Sequence, residues 1–111
     1  MIRWLDPLFV SESAENDLQR IVKRIKHRKG LLDTYVLMLP ANKSDQLDII
    51  HANYLVQPWY QERELTIVGV ARGKSNAIEL LVRMVDEAVN KTGSPELRAY
   101  LEWLLIKGGG G

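Results

Sequence analysis

Between Leu65 and Val89 the chain spells a strand, a glycine turn and a long helix, a unit that few architectures accommodate. Leu65 to Ala71 is apolar at most positions, as expected of a strand covered on both faces. Ala77, Ile78, Leu81, Val82, Met84, Val85, Ala88 and Val89 give the following helix a wide apolar face, implying deep packing. Ser75 is placed to cap its start and Thr92-Gly93 to close it. The turn, Gly69-Val70-Ala71-Arg72-Gly73-Lys74-Ser75, narrowly misses the phosphate loop G-x-x-x-x-G-K-[ST]. Val68 stands where the first glycine is needed, and Gly69 leaves the loop one residue short. The spacing of Gly69 and Gly73 also fails the dinucleotide pattern G-x-G-x-x-G.

Strand and helix signals alternate elsewhere. Leu8-Phe9-Val10 reads as a short strand, and Ser11 to Glu15 supplies hydroxyls and acids for a helix start. Leu18, Ile21, Val22 and Ile25 share one face of a helix near 13–29 that Gly30 is placed to stop. Thr34 to Leu39 reads as a doubly covered strand ended by Pro40. Asn42 or Ser44 can cap a helix near 44–56, where Leu47, Ile50, Tyr54 and Leu55 share a face before Pro58. Ser94-Pro95-Glu96 opens a last helix near 95–106, with Leu97, Tyr100, Leu101 and Leu104 on one side. The expectation is one α/β domain over residues 1–107, three-layered, with three mainly parallel strands near 8–10, 34–39 and 65–71; α+β is the alternative. So small a sheet has open edges unless a partner chain, the last helix or a further strand near Ile2 to Leu5 covers them.

With 111 residues, 46% hydrophobic and 26% charged, the chain suits one folded domain with one core. It has no cysteine, which excludes disulfides, thiolate metal sites and a cysteine nucleophile. A net charge of +1 gives the molecule no general pull on polyanions. Residues 1–10 lack the apolar core of a signal peptide and no apolar run approaches membrane-spanning length, so a cytoplasmic protein without a membrane partner is expected. Gly108 to Gly111 reads as an appended linker, with a ubiquitin-like conjugation tail as the sharper alternative.

Leu8-Phe9-Val10-Ser11-Glu12-Ser13, Tyr35-Val36-Leu37-Met38-Leu39-Pro40 and Val68-Gly69-Val70-Ala71-Arg72-Gly73, with Ala77, Leu80 and Leu81, resemble a family of small uncharacterised proteins from Firmicutes over residues 8–100. The resemblance implies a compact α/β domain and supplies no activity, cofactor or catalytic residue.

Three surfaces could carry function. Gly69, Arg72, Gly73, Lys74 and Ser75 could hold an anion at a helix N-terminus, or simply build a tight turn. Arg20, Lys23, Arg24, Lys26, Arg28 and Lys29, with His27 and no acid between Asp17 and Asp33, could meet nucleic-acid phosphates; the same polarity also suits the helix dipole. Tyr54, Trp59, Tyr60 and Arg63, together with Trp103, have hot-spot composition and could form a protein interface, or pack half-buried. Asp45, Asp48 and His51 would share a helix face, but nothing in the sequence extends them to a metal site, and neither histidine sits in a triad pattern. No cofactor is expected. The leading expectation is a non-enzymatic protein-interaction or accessory module, homo-oligomeric (a homodimer) or bound to another protein. A nucleic-acid accessory protein using the basic helix is the second, and a phosphate or nucleotide sensor, or a small enzyme, at residues 69–75 the third.

Overall fold

Four strands form one mixed sheet in the order β1-β4-β2-β3: β1 (Ile2–Val10), β2 (Thr34–Met38), β3 (Asp48–His51) and β4 (Leu65–Arg72). The structure is a computed structural model and describes residues 1–108; the linker reading of residues 109–111 lies outside them. β1 and β4 are parallel, whereas β2 runs antiparallel to both β4 and β3. The sheet is therefore mixed, not mainly parallel. The route of residues 27–33 explains the reversal. Arg28, at φ 55°, turns the chain out of the second helix. The Leu31 amide then donates to Asn53 Oδ1 at 2.8 Å, and Asp33 O accepts from the Gly73 amide at 2.7 Å. Thr34 thus starts β2 opposite Arg72, the end of β4, and must run back down.

Helices pack on both faces. On one side lie α1 (Glu12–Glu15) and α2 (Leu18–Lys26), with the 3-10 turn Ala52–Val56; the short α3 (Pro58–Gln61) follows that turn. The helix expected over 13–29 is thus two helices broken at Asn16-Asp17, ending at Lys26 before Gly30. With nine residues α2 is too short to persist alone, and Ile21 and Ile25, fully buried beneath it, contribute roughly 2–3 kcal/mol each. On the other face lie α4 (Lys74–Thr92) and α5 (Leu97–Lys107). α4 covers β4 and β2, and α5 lies beside it over β1.

The helix expected over 44–56 is absent. Asn42 Oδ1 accepts from the Ser44 amide and hydroxyl at 2.9 and 2.8 Å, which makes a side-chain turn and not a helix cap. Ile49 and Ile50 then pair with Leu37 and Val36, because a β-branched doublet gains more from a strand partner than from a helix turn. The first strand begins at Ile2, six residues before the expected start.

The middle of the sheet is irregular. Leu37 pairs with Gly69 and Met38 with Ile67, so Val68 is the extra residue of a bulge. Val68 packs on the α4 side, and Gly69 lies where an added Cβ would stand 3.2 Å from Phe9 O and 3.4 Å from Leu80 Cδ2. Opposite the same bulge β1 loops out: Trp4 pairs with Ile67 but Phe9 with Gly69, leaving residues 5–8 outside the ladder.

Candidate functional site

The glycine turn divides in two. Gly69 is a packed strand residue, whereas Gly73, at φ 85° and ψ 140°, is the N-cap of α4. Lys74 and Ser75 are exposed in the first turn, and no side chain caps it, so Ser75 is not the cap. Arg72 is held from several sides. Its Nη2 donates to Asp33 Oδ2 at 2.8 Å, and Nη1 stands 3.8 Å from Asp17 Oδ2. Its amide donates to Ser13 Oγ, whose hydroxyl donates back to Arg72 O, each at 3.0 Å. The bond from Arg72 holds the Asp33 carboxyl below its ordinary range; Asp17 is held down first by its bond to Arg20, and less by Arg72. Two carboxylates thus occupy the charge that an anion here would seek.

The arginines of the basic helix are intrachain struts. Arg20 Nη2 donates to Asp17 at 2.6 Å, Arg24 donates twice to Gly30 O at 3.0 and 2.8 Å, and Arg28 Nη1 reaches Leu55 O at 3.1 Å. Lys26 lies 5.9 Å over the Trp4 ring. Lys23 and Lys29, with His27, face solvent.

The aromatic segment is partly preorganised. Trp59 and Tyr60 meet edge to face with centroids 4.7 Å apart. The Arg63 guanidinium covers Trp59 at 3.7 Å and donates to Trp59 O at 2.7 Å. Tyr54 and Trp59 are half exposed, while Tyr60 packs on the α2 side of the sheet. Trp103 is not part of this patch. It stacks on Tyr100 of α5, across the sheet, beneath Lys107 at 4.7 Å.

One surface escaped sequence reading. α4 buries Ala77, Leu80, Met84 and Ala88 but leaves Ile78, Val82 and Val89 exposed at 48%, 54% and 41%. The whole apolar face is therefore not deeply packed. Its signal was there: eight apolar residues make an arc wider than one helix can press on a sheet, and Ile78, Val82, Val85 and Val89 repeat at four, three and four.

Asp48 and His51 lie on β3, not on a helix with Asp45. The His51 ring is engaged: Nε2 lies 2.8 Å from Leu32 O, and Nδ1 accepts the Asn53 amide at 3.1 Å, which fits the Nε2–H tautomer. Among the described residues no group of His, Cys, Asp or Glu is placed to hold a metal ion, and no helix is long and apolar enough to cross a membrane. A polar cleft of about 380 Å³ lies between Arg3, Glu64, Thr66, Arg98 and Glu102. Arg98 there donates to Pro40 O, Asn42 O and Asp45 O at 3.0, 2.8 and 3.0 Å, pinning the loop before β3 to α5. No family model, no curated protein and no solved structure matches this chain.

Proposed function

We propose that the protein is a non-enzymatic interaction module that assembles with itself. The observation supporting this is the exposed row Ile78, Val82 and Val89 on a 19-residue helix whose opposite side is fully packed. A helix ordered by its core presents such a row at little entropic cost, and large apolar surfaces on well-packed elements serve association. The Trp59-Arg63 cluster adds a second rigid surface, suited to a different protein partner. The nucleic-acid and anion readings draw less support, since Arg20, Arg24, Arg28 and Arg72 already bond within the chain. Sedimentation equilibrium on the full chain tests the proposal. Concentration-dependent dimerisation is expected, and a monomer throughout a loading series to about 100 μM, where even weak specific dimers form, would refute it.

A further inference from the structure

β1 and α2 do not close fully on each other. Residues 5–8 leave the ladder, and beside that loop-out Trp4, Leu8, Leu18 and Val22 stay only half buried although all four are apolar. They line a hollow of about 560 Å³ together with Asp6, Pro7 and Lys26. A second hollow, of about 460 Å³, adjoins the first, since Trp4 and Lys26 line both; its other walls are Met1, Ile2 and Arg28. Leu18, Val22 and Lys26 stand four residues apart on one face of α2, which spreads the groove over roughly 12 Å from an apolar end to a cationic one.

Charge is uneven along this groove. The second hollow has two cations and no acid in its lining. Arg28 Nη1 donates to Leu55 O and Tyr60 O at 3.1 and 3.4 Å, bonds that fix the guanidinium without neutralising it, and burial holds it below its ordinary value. Among the described residues no carboxylate pairs with Arg28 or Lys26. A half-buried cation without a counter-ion is the partner an anionic head would satisfy. Asp6 lines the first hollow and not the second, so it repels such a head from the apolar end.

We infer that the groove between β1 and α2 binds a free single-chain fatty carboxylate, its head on Lys26 and Arg28 and its chain along Trp4, Leu8, Leu18 and Val22. Such a site is independent of self-association. Both hollows fall within the size range of small-ligand sites, and each methylene that leaves water tightens binding by up to about fourfold. Lys26 Nζ lies 5.9 Å over the Trp4 ring, so an ammonium drawn to a ligand head changes the surroundings of the indole.

Replacing Trp59 and Trp103 together by Phe leaves Trp4 as the sole tryptophan of the full chain. Decanoate at neutral pH should then shift the Trp4 fluorescence saturably, and octanoate should bind several-fold more weakly. Decanol and decyltrimethylammonium, which offer the cations no negative head, should bind weaker than decanoate by about tenfold or more. Lys26→Glu, at an exposed position, should cut decanoate affinity by a similar factor with an unchanged far-ultraviolet spectrum. A Trp4 signal that never saturates, decanol or decyltrimethylammonium binding as tightly as decanoate, or a folded Lys26→Glu protein that binds like the parent overturns the site. Attachment to phosphatidylglycerol vesicles without binding of decanoate also overturns it, and would make the groove a membrane contact.

Discussion

Arg72 Nη2 stands 2.8 Å from Asp33 Oδ2, joining the end of β4 to the residue before β2 at the point where α4 begins. Asp33 is thereby held below its ordinary value of 3.8. A carboxyl lowered in the folded chain contributes stability above the unfolded value, and that contribution drains away as pH falls through the folded one. Asp33→Asn should therefore be less stable than the parent at neutral pH, with the gap closing on acidification below about 3.8, and shrinking in high salt because both groups face solvent. Urea unfolding followed by tryptophan fluorescence from pH 7 to strongly acid conditions reads this directly. A gap independent of pH would show that the bond is not the source.

At the alkaline end the informative group is Tyr100. Its hydroxyl donates to Glu87 Oε2 at 2.7 Å beneath α5, and burial, followed by that bond and the carboxylate charge, pushes the phenol up to about 12. The folded chain holds this proton longer than the unfolded chain, so the contribution is complete below about 10 and is lost as pH climbs toward 12. Ultraviolet titration of tyrosinate should show one late-ionising phenol, and Tyr100→Phe should abolish the late step. The same variant should lose about 1 kcal/mol near neutral pH, the usual net worth of such a bond. Loss of stability without loss of the late step would assign that step to another tyrosine.

The unit β4-turn-α4 is legible in the sequence because each of its parts is locally encoded: a run of apolar strand formers, a glycine at positive φ and a glycine C-cap. β3 is not, since Leu47, Ile50 and Tyr54 fit a helix period as well as Asp48 to His51 fits a strand, and only pairing with β2 decides between them. The start of β1 is masked by Arg3, a charge that pairs within the ladder, and by Asp6 and Pro7, which lie in the loop-out between Trp4 and Phe9. The direction of β2 depends on Arg28, Asn53 and Asp33, whose bonds join segments distant in sequence. Candidate site residues were readable as residue types but not by their commitments. The acids that hold Arg20 and Arg72 and the carbonyls that hold Arg24 and Arg28 emerge only from the fold.

Thr34 carries a cost with no evident return. It is 1% exposed, and its Oγ1 has no hydrogen-bond partner among the described residues. A buried hydroxyl left unpaired loses its hydration without compensation, so Thr34→Val, which keeps the shape, should stabilise the fold by about 1 kcal/mol. Thermal unfolding would register this as a rise in Tm. A fall would mean that the hydroxyl is bonded to an ordered water that the valine expels.

The bulge at Val68 sets Gly69 against backbone rather than against a yielding side chain. A Cβ at that position would lie 3.2 Å from Phe9 O and 3.3 Å from Phe9 Cβ, with Leu80 Cδ2 next at 3.4 Å. Gly69→Ala should cost about 1–2 kcal/mol, because β1 must retreat by a few tenths of an ångström from a strand it pairs with on both sides of its loop-out. Leu80→Ala alone should cost about 2–5 kcal/mol by opening a cavity under α4. Were Leu80 the obstacle, the double variant would recover much of the Gly69 penalty. Since the tightest contact is the Phe9 carbonyl, the two costs should add to within about 0.5 kcal/mol. Urea denaturation of the four proteins closes this cycle, and a rescuing interaction larger than that margin would locate the obstruction in α4 instead of β1.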